Sequence, residues 1–359
     1  HILKKCYDMM KKWVEYQNST DRRNYGVRTV DGKEVPEQSD LATIPYIQVQ
    51  QCRGDHLTYD NSTPYIYSAT AYAAHSADIL RRTAYILGKT DDEKRYTELF
   101  ENIKRAFNDA WVNDDGSVSY YGEVSSQTAH CGESVALDGS VTRYTYYAEN
   151  TPHCPSQTAY ALAVDFDLIP TDKLKNTREY FKNSILRNNC KLTVGFLGIS
   201  HLAPALSKVG LDDVAFKLLE QEDNPSWLYS VKNGATTIWE RWNSYIAETG
   251  TFGDVSMNSF NHYSYGAIGQ WFFTDILGIC PVEFGYKSFM LSPKFGGGLT
   301  YAKGSFTSPY GKISSAWKLH DGKFTYDCTV PTNTTATLKL PNGDIHTLVG
   351  GSYHFEINV

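Results

Sequence analysis

Two helical periodicities stand back to back with two residues between them, and a chain with that feature has few ways to fold. From Pro64 to Leu87 the apolar positions Ile66, Ala69, Ala73, Ala77, Leu80, Ala84 and Leu87 fall three or four apart, and Gly88 supplies a stop. The second stripe follows at once. Thr90 and Glu93 have the spacing of a capping box, and Tyr96, Leu99, Ile103, Phe107 and Ala110 carry a buried face as far as Trp111. Helices joined so closely must run antiparallel and bury their stripes against neighbours.

Similar periodicity predicts helices at about 2 to 18, 157 to 169, 172 to 186, 196 to 209, 211 to 222, 234 to 248 and 258 to 277, roughly nine in all. Between Asn113 and Pro155 the chain is rich in Gly, Ser and Tyr without a helical period, which suits a long loop or hairpin. Near residue 280 the period changes. FMLSPKF, LTYAKGSFTSPYGKISSAWKL, KFTYDCTV, TTATLKL and GSYHFEINV alternate polar with apolar residues, and Asp321-Gly322 and Asn342-Gly343 mark tight turns. The expected architecture is mainly α with a C-terminal all-β module: a helical unit over 1–282 and an antiparallel β-sandwich over 283–359. A length of 359 residues with 41% hydrophobic content suits two such units. Periodicity alone leaves a bundle, a solenoid and a closed toroid open.

The net charge of −6 provides no basic patch for a phosphate backbone, and no apolar run approaches the ~18 to 20 residues of a spanning helix. Neither nucleic acid nor a membrane is expected as a partner. Seven scattered cysteines without a C-x-x-C pair indicate neither a zinc site nor a disulfide scaffold, although Cys131 and Cys154 bracket a polar loop that a disulfide could close. No metal or cofactor is implied. Sequons at Asn18, Asn61 and Asn333 are too short to fix the compartment, which stays open between periplasmic or extracellular and cytoplasmic. His1 enters helical periodicity almost directly, so the natural N-terminus is expected upstream.

The run GATTIWERWNS (234–244) sets Glu240 between Trp239 and Trp242. On a helix the two indoles share a face, with the carboxylate about 100° away from Trp239. Aromatic rings stack on the apolar faces of sugars, and a carboxylate beside them can exchange protons. The plainer alternative is that both tryptophans pack the helix and Glu240 pairs with Arg241 or another neighbour. SMNSFNHYSYGAIGQW (256–271) places Asn258, Asn261, His262, Tyr263, Tyr265, Gln270 and Trp271 in one helix-forming segment. Polar groups on such a helix need partners or a ligand, and His262 is either a sugar contact or a satisfied core histidine. Arg53-Gly54-Asp55-His56 and Asn224-Pro225-Ser226-Trp227 are loops carrying a hydroxyl acceptor (Asp55) and a stacking ring (Trp227), although turn chemistry explains both nearly as well. Thr90-Asp91-Asp92-Glu93 is acidic because it opens a helix, where negative charge meets the dipole. Gly296-Gly297-Gly298 precedes a strand rather than a helix, so it is no phosphate loop, and neither G-x-S-x-G nor H-E-x-x-H occurs.

With these motifs in place the chain resembles glycoside hydrolase family 78, the bacterial α-L-rhamnosidases, over nearly its whole length. The resemblance is carried by ILGKTDDEKRY, TAYALAVDFDLIP, GFLGISHLAPAL, QEDNPSWLYSVKNGATTIWERWNS, SMNSFNHYSYGAIGQWFF and SPYGKISSAWKL. It implies an (α/α)6 toroid, N-terminally incomplete in this chain, followed by an antiparallel β-sandwich, and removal of terminal α-L-rhamnosyl groups with inversion. By the same resemblance Glu240 is the general base, His262 contacts the sugar, and Asp55, His56, Trp227, Trp239 and Trp242 belong to the substrate pocket or its support. The expected partner is a rhamnose-containing oligosaccharide, polysaccharide or glycoside. Relatives usually carry Gly-Asp-Trp where this chain has Gly54-Asp55-His56, which bears on sugar or aglycone preference. The family's general acid lies in an Arg-Asp-Glu motif that is missing here, so it is expected on an upstream part of the same polypeptide. Other readings are a different (α/α)6 glycosidase, a disaccharide phosphorylase, or a non-catalytic carbohydrate-binding remnant.

Overall fold

A computed structural model describes residues 2–19, 27–30, 33–36, 45–48, 54–60, 63–119, 131–135, 141–145 and 155–359, with the backbone alone for the strands before residue 155. Helix α1 (Ile2–Gln17) leads to the predicted hairpin of α2 (Tyr65–Ile86) and α3 (Thr90–Trp111). Gly88, at φ +67°, lets the chain reverse while the amides of Leu87, Gly88 and Lys89 return to Thr83, Tyr85 and Ala84 carbonyls. The expected capping box does not form, because Thr90 already lies inside the helix and Lys89 takes the cap position without a side-chain bond. Asp92 in that first turn instead accepts from the Tyr7 hydroxyl (2.7 Å) and the Lys11 ammonium (2.8 Å), which ties α1 to the hairpin.

The chain continues as α4 (Gln157–Asp165), α5 (Leu174–Leu186), α6 (Phe196–Lys208), α7 (Asp212–Leu219) and α8 (Trp227–Lys232). Helix α2 packs beside α4 and α4 beside α6, while α3, α5 and α7 each back one of them. The result is an inner and an outer layer. Helix α4 is buried from Gln157 to Val164, as an inner helix with neighbours on all sides must be. Ser156 caps it by accepting from the Ala159 amide (3.0 Å). Helix α8 was not expected from periodicity; Ser226 caps it through the Tyr229 amide (3.0 Å).

Two predicted helices are corrected. Residues 234–248 are irregular, and the helix expected over 258–277 begins only at Ser264, as a 3-10 turn (Ser264–Ala267), α9 (Ile268–Trp271) and a π turn (Phe272–Ile276). The physical reason is that the two segments satisfy each other's backbones. The Glu240 amide donates to Ser259 O (2.8 Å) and the His262 amide to Ile238 O (2.8 Å), while the Gly253 amide, from the turn between them, donates to Asn243 O (3.1 Å). Thr236, Thr237 and Ile238 also carry β-branched side chains, which lose χ1 freedom in a helix.

Within 113–155 the strands β3 (Cys131–Val135) and β4 (Val141–Thr145) form an antiparallel hairpin, as do β1 (Val27–Val30) and β2 (Lys33–Pro36) nearer the start. Cys52, Arg53, Asn61 and Cys154 lie outside the described residues, and with Cys154 the postulated disulfide to Cys131.

The β module stacks two four-stranded sheets, and its first strand, β5 (Ile279–Pro281), lies just ahead of residue 283. One sheet runs β12 (Gly351–Asn358), β9 (Lys323–Val330), β8 (Gly311–His320), β7 (Tyr301–Ser308), antiparallel throughout. The other runs β11 (Ile345–Leu348), β10 (Thr335–Lys339), β6 (Ser288–Leu291), β5, and departs from the fully antiparallel expectation because β10 and β6 pair in parallel. Trp317, Phe324, Tyr326 and Leu338 fill the space between them. The module is fastened to the helices by Trp317 Nε1 donating to Ile276 O (2.8 Å) and by Lys294, which bridges Asp212 (2.8 Å) and Asp275 (2.9 Å). Among the described residues no helix is long and apolar enough to cross a membrane.

Candidate active site

The irregular segments 234–244 and 254–263 meet beside the N-terminus of α6, and they carry most of the residues singled out by sequence. Glu240 is half-buried there. Its Oε2 accepts from the Ser259 amide (2.7 Å) while its own amide donates to the Ser259 carbonyl (2.8 Å), so main chain and side chain are both anchored to one residue. Oε1 has no hydrogen-bond partner among the described residues. The pairing with Arg241 considered above does not occur. Arg241 reaches away, donating Nε to Met257 O (2.8 Å) and Nη2 to Asp254 Oδ2 (2.9 Å). Asp254 also accepts from the Ser256 hydroxyl and from the amides of Ser256 and Met257, and these bonds hold its carboxyl below the usual carboxylate range. The whole turn facing Glu240 is thereby pinned.

His262 stands on the same backbone pairing. Its Nδ1 accepts from the Ser264 amide (3.3 Å), which in the neutral ring puts the proton on Nε2 and makes that atom a donor. The ring stacks on Phe196 (4.8 Å between centroids, 19°) and on exposed Tyr263 (5.2 Å, 15°).

The tryptophans divide differently from the helix-face expectation. Trp242 is 2% exposed, donates Nε1 to Val194 O (3.0 Å) and stacks on Tyr265 at 3.8 Å, so it cannot offer a face to a sugar. Trp227 is half-buried, bonds to Tyr265 O (2.9 Å) and meets Trp242 edge-on. Trp239 is 6% exposed and packs edge-on against Phe260. Each indole thus packs against another aromatic ring, Trp227 and Trp242 against each other and Trp239 against Phe260.

Asp55 is turned inward, to the support of the pocket. It is 7% exposed, and its carboxylate accepts four donors: the amides of Gly195 (2.8 Å), Leu197 (2.8 Å) and Gly198 (3.0 Å) and the hydroxyl of Thr158. Those donors fill its acceptor sites. Burial pushes its carboxyl up, opposed by the same four bonds. The half-buried His56 next to it sets its ring edge-on to Phe196 (5.5 Å). The loop presses so close that a Cβ on Gly195 would sit 2.2 Å from His56 O, which is why glycine stands there. Ser259, Phe196 and Tyr265 were not singled out, or not in these roles. Ser259 acts through its backbone, which no side-chain pattern announces, whereas Phe196 at the first position of a predicted helix was open to inspection.

No group of three or more His, Cys, Asp or Glu suited to a metal occurs among the described residues. The arrangement is a half-open carboxylate, a histidine donor and aromatic surface, the equipment for proton transfer beside a polar, ring-shaped ligand.

Residues 1–276 match the family model described as the bacterial alpha-L-rhamnosidase 6 hairpin glycosidase domain, and residues 278–355 that of the bacterial alpha-L-rhamnosidase C-terminal domain. The chain belongs to the bacterial α-L-rhamnosidases. An alpha-L-rhamnosidase of Formosa agariphila is 33% identical over 349 residues, covering 97% of this chain and 32% of the relative. One from Streptomyces avermitilis is 38% identical over 288 residues, 80% of this chain and 24% of the relative. The solved Streptomyces avermitilis alpha-L-rhamnosidase complexed with L-rhamnose superposes with a TM-score of 0.77 at 31% identity, over 99% of this chain and 31% of that one. The fold is thus the helical six-hairpin domain with an antiparallel-rich β module. The chain spans about a third or less of the length of these rhamnosidases.

Proposed function

We propose that the protein of which this chain forms part removes terminal α-L-rhamnosyl groups from glycans or glycosides with inversion, Glu240 serving as the general base. The observation that carries this is the state of the Glu240 carboxylate: Oε2 is held by the Ser259 amide and Oε1 is left for a water. In an inverting hydrolysis that water attacks the anomeric carbon and gives its proton to the carboxylate, while an acid on the opposite face protonates the departing oxygen. His262, with Nε2 as donor, binds a sugar hydroxyl, and His56 borders the pocket.

Proton NMR of p-nitrophenyl α-L-rhamnoside hydrolysed by the complete polypeptide tests the stereochemistry. β-L-Rhamnose should appear first and then mutarotate; α-L-rhamnose as the first product overturns inversion.

A further inference from the structure

Asp55 lies in the loop 54–58, and its carboxylate touches the site through other residues. Its Oδ1 takes the amides of Leu197 and Gly198, and its Oδ2 takes the Gly195 amide and the Thr158 hydroxyl. The Phe196 amide, the remaining one of this first turn, donates to His56 O (2.9 Å). Every amide from Gly195 to Gly198 is thus satisfied by two consecutive loop residues, and a buried carboxylate sits at the positive end of α6. Phe196 is the ring held by that turn, and it touches the site directly: His262 stacks on it at 4.8 Å, while His56 and Tyr265 meet it edge-on at 5.5 Å each. The same loop also receives the Tyr265 hydroxyl at Leu57 O (3.2 Å), and Tyr265 is the ring beneath Trp242.

We infer that Asp55 is a positioning residue for His262: by clamping the first turn of α6 it sets the plane of Phe196, and Phe196 sets the plane of the imidazole. The inference rests on the proposed sugar contact of His262. It differs from the expectation that Asp55 binds the sugar, because the carboxylate has no acceptor site left for a hydroxyl. It also assigns Phe196 a role that follows from its place at the start of a helix.

The test is a double-mutant cycle in the complete polypeptide with p-nitrophenyl α-L-rhamnoside. His262→Ala should raise KM about tenfold, the scale of one lost oriented contact, and Asp55→Asn, which keeps one acceptor oxygen, should raise KM by a smaller factor. Asp55→Asn combined with His262→Ala should be no worse than His262→Ala alone within about threefold, since a residue acting through another adds nothing once that other is gone. Phe196→Leu repeats the cycle without touching the helix cap, and it carries the test where Asp55 variants fail to fold. Losses that multiply in both cycles overturn the inference and leave the His262 assignment standing. A silent His262→Ala overturns that assignment and the inference with it.

Discussion

Trp242→Phe separates a supporting indole from a sugar-stacking one. Phenylalanine keeps an aromatic ring against Tyr265 but removes the Nε1 bond to Val194 O, a 3.0 Å contact between buried residues. A buried carbonyl left without its donor costs about 1–3 kcal/mol. The roughly 40 Å³ of lost side chain, at about 24 cal/mol per Å³, adds about 1 kcal/mol. The sum of about 2–4 kcal/mol corresponds to a fall of roughly 4–8 °C in melting temperature for a unit of this size. Differential scanning calorimetry of the complete polypeptide reads that shift, and initial rates at 25 °C read KM. The expected result is a lower melting temperature with KM changed less than about threefold. An unchanged melting temperature with KM raised about tenfold would refute the burial argument and return Trp242 to the sugar.

Arg241→Lys should lower kcat/KM by about tenfold, because a lysine reaches Met257 O or Asp254 but cannot bridge both as the guanidinium does. Parent-like kinetics would show that the pinned turn does not matter to Glu240. His75, stacked on Phe166, has its pKa lowered by burial first and by neighbouring His201 second. The unfolded chain therefore takes up this proton more readily, and stability falls as pH drops through and below the ordinary histidine value of about 6.5. Melting temperatures of His75→Phe should fall less than those of the parent between about pH 7.5 and pH 5. Equal slopes would exclude His75 as a source of acid sensitivity.

Wherever a segment buries one face, the fold was legible in the sequence. The α2–α3 hairpin, α6 and the alternating strands all follow from apolar spacing, because burial is what that spacing records. The misassigned helices, 234–248 and the first part of 258–277, are segments whose backbones bond to each other across the site. Their Trp, Ile and Phe residues fall at helical intervals without forming a helix, since tertiary partners override so weak a preference. The same limit applies to the site. Glu240 and His262 stand out by residue type and neighbourhood, and the structure brings their segments together. That Trp242 faces inward, or that Asp55 is consumed by four donors, depends on what lies opposite each side chain, and a sequence does not print that. The parallel pairing of β6 with β10 is hidden for a related reason: alternation identifies a strand and its buried face but not its neighbour.

Glu240→Gln in the complete polypeptide is the most direct measurement. The amide oxygen still accepts from the Ser259 amide, so the loop keeps its anchor, while the proton acceptor is lost. On p-nitrophenyl α-L-rhamnoside kcat should fall about 10²- to 10⁴-fold with KM within about threefold of the parent. A kcat within about threefold of the parent would contradict the assignment of Glu240 as the base that activates water.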